Sequence, residues 1–153
     1  MNTEGKQKVL FICTHNSARS QMAEGFLRSL YGERYEAFSA GTEPGGVNPY
    51  AVEVMHETGI DITHHYSKSS DEFQGTVFDH IVTVCDHAKE NCPFFPGAKN
   101  YMHKSFPDPS AAKGTQQEKL AVFRTVRDEI KDWIIDTFGS DHKKDNPSFH
   151  FDM

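Results

Sequence analysis

The sequence predicts an α/β fold: a four-stranded parallel sheet flanked by helices on both faces. Two observations carry that expectation. Short runs at 8–12 and 80–84 are apolar and β-branched with little alternation, the pattern of strands buried on both faces. Such runs then alternate along the chain with amphipathic helical stretches, which implies crossover connections and a parallel sheet.

The elements follow in order. Residues 8–12 form the first strand. Residues 20–31 form a helix with Met22, Phe26, Leu27 and Leu30 on one face, stopped by Gly32. Phe38-Ser39-Ala40-Gly41 ends a second strand, and Gly45-Gly46-Val47 is a loop. Asn48-Pro49 has the form of a helix cap with proline in the first turn; that helix runs to about His56 and ends near Gly59. Residues 80–84 are the third strand, and Tyr101-Met102-His103 a weaker fourth. Thr115 and Glu118 make a capping-box pattern. Behind it run Leu120, Phe123, Val126, Ile130 and Ile134, closed by Gly139. Residues 1–140 are expected as one catalytic domain and 141–153 as a polar tail, in which Phe149 and Phe151 are unusual.

Composition narrows the class. The chain has 153 residues, 37% hydrophobic and 25% charged, enough for one folded domain. A net charge of −6 argues against nucleic acid as a partner, so an anion site must be a local feature. No apolar run is long enough for a membrane span, and the first six residues lack the apolar core of a secretion signal. A cytoplasmic monomer without a tightly bound cofactor is expected. Three cysteines in such a chain do not suggest a disulfide framework. The plain alternative is three buried thiols. However, Cys13 and Cys85 each directly follow a strand, and ligands in such sheets bind beyond the carboxyl ends of the strands. The two thiols are therefore expected to face one site.

The stretch Cys13-Thr14-His15-Asn16-Ser17-Ala18-Arg19-Ser20 turns a strand into a helix. The amides of residues 14–20, backed by the helix N-terminus, can converge on a tetrahedral anion. Arg19 adds a planar fork of donors. The same surroundings are expected to lower the pKa of Cys13 and make it a nucleophile. Asn16 tolerates a left-handed backbone, and Ser17 or Ser20 can hydrogen-bond the thiolate or the helix start; ordinary turn and cap chemistry explains these residues as well. No Gly-Lys-Ser/Thr sequence is present, so this is not a nucleotide loop.

Residues 13–25, Cys-Thr-His-Asn-Ser-Ala-Arg-Ser-Gln-Met-Ala-Glu-Gly, closely resemble the phosphate-binding loop of arsenate reductases of the low-molecular-weight tyrosine phosphatase superfamily. The resemblance continues through Ser39-Ala40-Gly41, Val47-Asn48-Pro49, Val84-Cys85, Asn91-Cys92-Pro93 and Phe106-Pro107-Asp108-Pro109. It implies a low-molecular-weight phosphatase-like fold and reduction of arsenate to arsenite. It further implies that Asp108 acts as general acid. Cys13 would attack arsenate, Cys85 would attack Cys13, and Cys92 would attack Cys85. An external dithiol, thioredoxin rather than glutaredoxin, would reset the enzyme. If the segment between Cys85 and Cys92 is helical, the two lie about 10 Å apart, too far for a disulfide. Residues 86–92 are then expected to unwind or fold over when the second disulfide forms.

Two rival functions are weighed against this. A tyrosine phosphatase on the same scaffold needs Cys13, Arg19 and an acid, but neither Cys85 nor Cys92. Ser110-Ala111-Ala112 also follows the Asp-Pro pair where that branch has tyrosines. A zinc module could use Cys85, His87 and Cys92 with His64 and His65, although the spacing matches no compact finger. Three positions depart from the reductase pattern. His15 replaces a common glycine and, if protonated, would add positive charge near the anion; Ala18 replaces a common cysteine. Some relatives hold potassium with residues matching Asn16, Glu24 and Ser39 plus a carboxylate, and Lys68 stands at that carboxylate position. Its ammonium is expected to take the cation's place.

Overall fold

The computed structural model describes residues 5–139; residues 1–4 and 140–153, including the expected tail with Phe149 and Phe151, lie outside the described part. The elements are β1 (Gln7–Cys13), α1 (Arg19–Tyr31), β2 (Tyr35–Gly41), α2 (Pro49–His56), β3 (His80–Thr83), α3 (Asp86–Asn91), β4 (Asn100–His103) and α4 (Gln116–Phe138). The four strands form one parallel sheet in the order β2-β1-β3-β4. β1 is central, and Val9, Leu10, Phe11 and Ile12 are fully buried, as an apolar run without alternation requires.

Successive side chains of β1 serve different layers. Phe11 packs edge-on against Phe138 of α4, which also meets Tyr35 and Trp133. Leu10 is in register with Phe38 on the other face, where Phe38, Phe73, Phe78 and Phe95 make a second aromatic cluster. Both faces are thus covered. α4 carries the expected stripe: Leu120, Phe123, Val126, Ile130 and Ile134 are all buried. Its capping box forms, with Thr115 accepting from the Glu118 amide and the Glu118 carboxylate accepting from the Thr115 amide. α2 begins as expected, with Asn48 Oδ1 accepting from the Tyr50 amide and Pro49 in its first turn. Gly59 follows it at φ 85°, a conformation that costs glycine least.

One local expectation fails, and one holds in a different backbone form. Leu30 is 40% exposed; in the last turn of α1 it is Tyr31 that packs against the core. Gly32 ends α1 with φ −62°, so the helix stops without a left-handed glycine cap. Among the described residues no helix is long and apolar enough to cross a membrane.

The parallel arrangement brings the carboxyl ends of all four strands to one edge. Cys13 closes β1 and pairs with Gly41 at the end of β2. Cys85 lies two residues beyond β3, as the N-cap of α3. Topology alone thus draws together residues 72 positions apart.

Candidate active site

The loop after β1 is held by its carbonyls. The amides of Thr42, Glu43, Gly45 and Asn48 donate to the carbonyls of Cys13, Thr14, His15 and Ser17 at 2.7–3.1 Å. In a planar trans peptide the N–H points away from the C=O. Fastening the carbonyls outward therefore turns the loop amides inward, into a concavity that begins α1. Asn16, fully buried at φ 52°, makes the tightest bend. Its Nδ2 donates to Ser20 Oγ at 2.8 Å and its Oδ1 accepts from the Lys68 amide at 2.9 Å. Gly41 is needed beside this loop, since a Cβ there would stand 2.7 Å from Thr14 O and 2.9 Å from Asn16 N.

Cys13, Arg19 and Asp108 meet over the loop. With His15, Ser17, Ala18 and Ser110 they line a small cavity of about 20 Å³. Arg19 is oriented by the Phe106 carbonyl, to which its Nη1 donates at 3.1 Å, and its Nη2 lies 3.8 Å from Asp108 Oδ2. Asp108 caps a short 3₁₀ turn: its Oδ1 accepts from Ser110 N at 2.9 Å and Ser110 Oγ at 2.7 Å. Oδ2 is left toward Arg19.

The structure brings Cys85 to Cys13, and the two thiols share a hydrogen bond. Thr14 Oγ1 lies 3.3 Å from Cys85 Sγ. This departs from the expectation that the cradle would lower the pKa of Cys13. The hydrogen bond to Cys85 and nearly complete burial push Cys13 up, outweighing Arg19 and Ser20, which pull it down. Cys85 is pulled down to about 5, by the hydrogen bond from Cys13 first and then by Thr14, the Ala88 amide and Arg19. The pair titrates as one unit. Ser20, one of the two serines expected to serve the thiolate, does contact Cys13.

Cys92 is the C-cap of α3 and half-buried. Its Sγ donates to Pro93 O at 3.4 Å, and burial pushes its thiol up. All three cysteines are free. α3 spans only six residues. It is tied to the body by Asp86, whose Oδ1 is 3.1 Å from His103 Nε2, and by His87, whose Nε2 is 3.7 Å from Glu43 Oε2. The residues weighed as zinc ligands are not assembled: among the described residues no group of three His, Cys, Asp or Glu could hold a metal ion.

Beneath the loop lies a buried polar chain. Ser39 Oγ donates to Glu24 Oε1 at 2.5 Å, and Arg28 ion-pairs with the same carboxylate. Arg28 Nη1 donates to His65 Nε2 at 3.0 Å, so His65 Nδ1 carries the proton given to Gln21 Oε1 at 2.8 Å. Gln21 Nε2 closes the chain on Asn16 O at 3.0 Å. Burial pulls His65 down to about 4, against Glu24, which raises it. Lys68 is 8% exposed. Its Nζ donates to Tyr66 O at 2.8 Å and lies over the Tyr66 ring. Burial lowers its pKa while Glu24 and Glu72 raise it. These residues do not fit a monovalent cation, because Arg28 already neutralises Glu24 and Asn16 Oδ1 already accepts from the Lys68 amide.

The family whose description is low molecular weight phosphotyrosine protein phosphatase matches residues 8–145. This chain belongs to it. Within the family, a curated arsenate reductase from Halalkalibacterium halodurans is 48% identical over 125 residues, 82% of this chain and 90% of the relative. A solved structure described as an arsenate reductase in the phosphate binding state superposes with a TM-score of 0.76 at 31% identity, covering 88% of this chain and 98% of that one. The thioredoxin-dependent arsenate reductase of Corynebacterium glutamicum superposes with a TM-score of 0.62 at 25% identity, over 86% of this chain and 62% of that chain. The family accounts for the cradle, and the branch to which these relatives belong bears on the thiols around it.

Several contributors carried no signal in the sequence. Glu43 fastens the loop through its backbone, and Phe106 orients Arg19 through its carbonyl; neither role depends on the side chain. Thr14 was expected only as a backbone donor, yet its hydroxyl touches Cys85. Gln21 and His65 are 44 positions apart and meet only through the fold.

Proposed function

We propose that this chain reduces arsenate to arsenite by a relay of three thiols reset by thioredoxin. The observation that carries this reading is the contact between Cys13 and Cys85 at the cradle, with Cys92 at the far end of α3. A phosphoester hydrolase needs the first thiol only.

In the proposed route, the amides of Thr14, His15, Asn16, Ser17, Ala18, Arg19 and Ser20, with the Arg19 fork, hold arsenate over Cys13. The shared proton moves to Cys85 as Cys13 bonds to arsenic. Asp108 Oδ2 gives a proton to the departing oxygen, which leaves as water. Cys85 then loses its proton and attacks Cys13 sulfur. The sulfur–arsenic bond breaks with its electron pair going to arsenic, so As(V) becomes As(III) and a Cys13–Cys85 disulfide forms. Cys92 attacks Cys85, which restores Cys13 and moves the disulfide outward. Reduced thioredoxin attacks Cys92 and expels Cys85, whose low pKa makes it a good leaving group.

Three further features support the reading. α3 is shorter than an independently stable helix, which suits a segment that unwinds to let Cys85 and Cys92 meet. Phe94, two residues beyond Cys92, is 74% exposed while its neighbour Phe95 is fully buried; an outward aromatic beside the last thiol suits a protein partner. Lys68, held close to the Glu24–Arg28 pair, supplies charge where relatives use a cation. The protein is read as a cytoplasmic monomer.

Arsenite production with arsenate, thioredoxin, thioredoxin reductase and NADPH tests the proposal. The parent turns over repeatedly, and Cys92→Ser stops after about one turnover. Equal steady rates for both would end the three-thiol scheme.

A further inference from the structure

His15 is the cradle residue whose side chain the family pattern leaves unexplained. Its Nδ1 lies 2.9 Å from the Glu43 carbonyl oxygen. A carbonyl only accepts, so Nδ1 carries a hydrogen. Glu43 is itself fastened to the loop, its amide donating to Thr14 O at 2.7 Å. The residue is held from behind as well: His15 O accepts from Gly45 N at 3.0 Å and Ser67 Oγ at 2.8 Å. The ring runs along Gly45, where a Cβ would stand 3.5–3.7 Å from His15 Cβ, Cγ and Nδ1. Neutral His15 therefore has its proton fixed on Nδ1, and Nε2 presents a lone pair.

His15 lines the same cavity as Cys13, Arg19 and Asp108. The loop amides and Arg19 at that cavity are donors, which suit bare anionic oxygens. A lone pair suits the opposite: an oxygen that carries a hydrogen. We propose that His15 Nε2 accepts a hydrogen bond from a hydroxyl of the bound oxyanion, and so selects arsenate and phosphate, which keep an O–H near neutral pH, over sulfate, which does not. Against sulfate the same nitrogen faces a second acceptor, an unsatisfied and repulsive pairing. The side chain thus works as an acceptor, the reverse of the positive charge that its residue type suggested. This inference rests on the reading of residues 13–20 as an oxyanion cradle and adds a selectivity to it.

The test is equilibrium binding of inorganic phosphate and of sulfate to the reduced protein by calorimetry near neutral pH, which needs no turnover. His15→Ala removes the acceptor at an exposed position, and His15→Gln supplies an amide oxygen in its place. The phosphate-to-sulfate affinity ratio is expected to fall about tenfold in His15→Ala, the size of one hydrogen bond, and to recover in part in His15→Gln. Unchanged melting temperatures confirm that both variants fold. Equal weakening of both anions in His15→Ala would mean that His15 acts as a cation, and would overturn the proposal. An unchanged ratio would overturn it too. If the parent binds neither anion while the melting temperature is normal, the cradle reading itself fails.

Discussion

The cradle and the α3 segment adjoin each other and are built to opposite specifications. In the cradle the carbonyls of Cys13, Thr14, His15 and Ser17 are fastened by amides of residues 42–48, and Asn16 alone makes three side-chain or backbone ties. α3 has six residues, of which only Ala88 is buried, and its polar ties to the body are two histidine–carboxylate contacts whose acidic partners are largely exposed. Exposed pairs of that kind contribute about 0–1 kcal/mol each. A tetrahedral anion is recognised by donors that do not move. A disulfide that passes from Cys13–Cys85 to Cys85–Cys92 needs sulfurs that do. In the proposed relay the rigid half captures, and the loosely held half conducts electrons away.

The largest effect is expected from breaking the cradle's nucleophile. Cys13→Ser should lower arsenite production by at least about 10³-fold, measured in the thioredoxin-coupled assay. Asp108→Asn should slow the arsenate-dependent step by about 10²-fold while leaving the release of arsenite from a preformed adduct intact; rapid-quench kinetics separates the two. On the mobile side, Phe94→Ser should raise the KM for thioredoxin about 3- to 10-fold and leave the KM for arsenate unchanged.

The smallest effect on turnover at neutral pH concerns the support beneath the cradle, which acts on stability instead. His65 is neutral in the fold down to about pH 4, whereas the unfolded chain takes up the proton near 6.5. Between those values the unfolded state binds more protons, so stability falls as pH drops from 6.5 to 4 and is level above that window. The loss amounts to about 3 kcal/mol at most. His65→Asn, whose amide can stand in for Nδ1–H, should flatten the slope of melting temperature against pH across that window.

The same contrast decides what was legible beforehand. The strand-to-helix turn from Cys13 to Arg19 could be read because local chemistry dictates it: an apolar run, a bend at Asn16, a helix start. Thr115 with Glu118 was legible for the same reason. The acidity of the thiols was not. It depends on Cys85 arriving from β3 and donating or accepting across a gap that only the parallel topology closes, and an isolated loop would have made Cys13 the acidic one. Leu30 was misread because periodicity places a residue on a face but does not say where the neighbouring layer ends. The proton position on His15 was also hidden, since its acceptor is a backbone carbonyl 28 positions away.

The division into a fixed cradle and a yielding α3 is tested most directly by amide hydrogen exchange before and after arsenate oxidises the protein without thioredoxin. Mass spectrometry would establish the Cys85–Cys92 disulfide in the oxidised sample. Protection of residues 86–91 should then be lost, while that of residues 14–22 stays as in the reduced protein. Full protection of 86–91 with that disulfide in place would contradict the division.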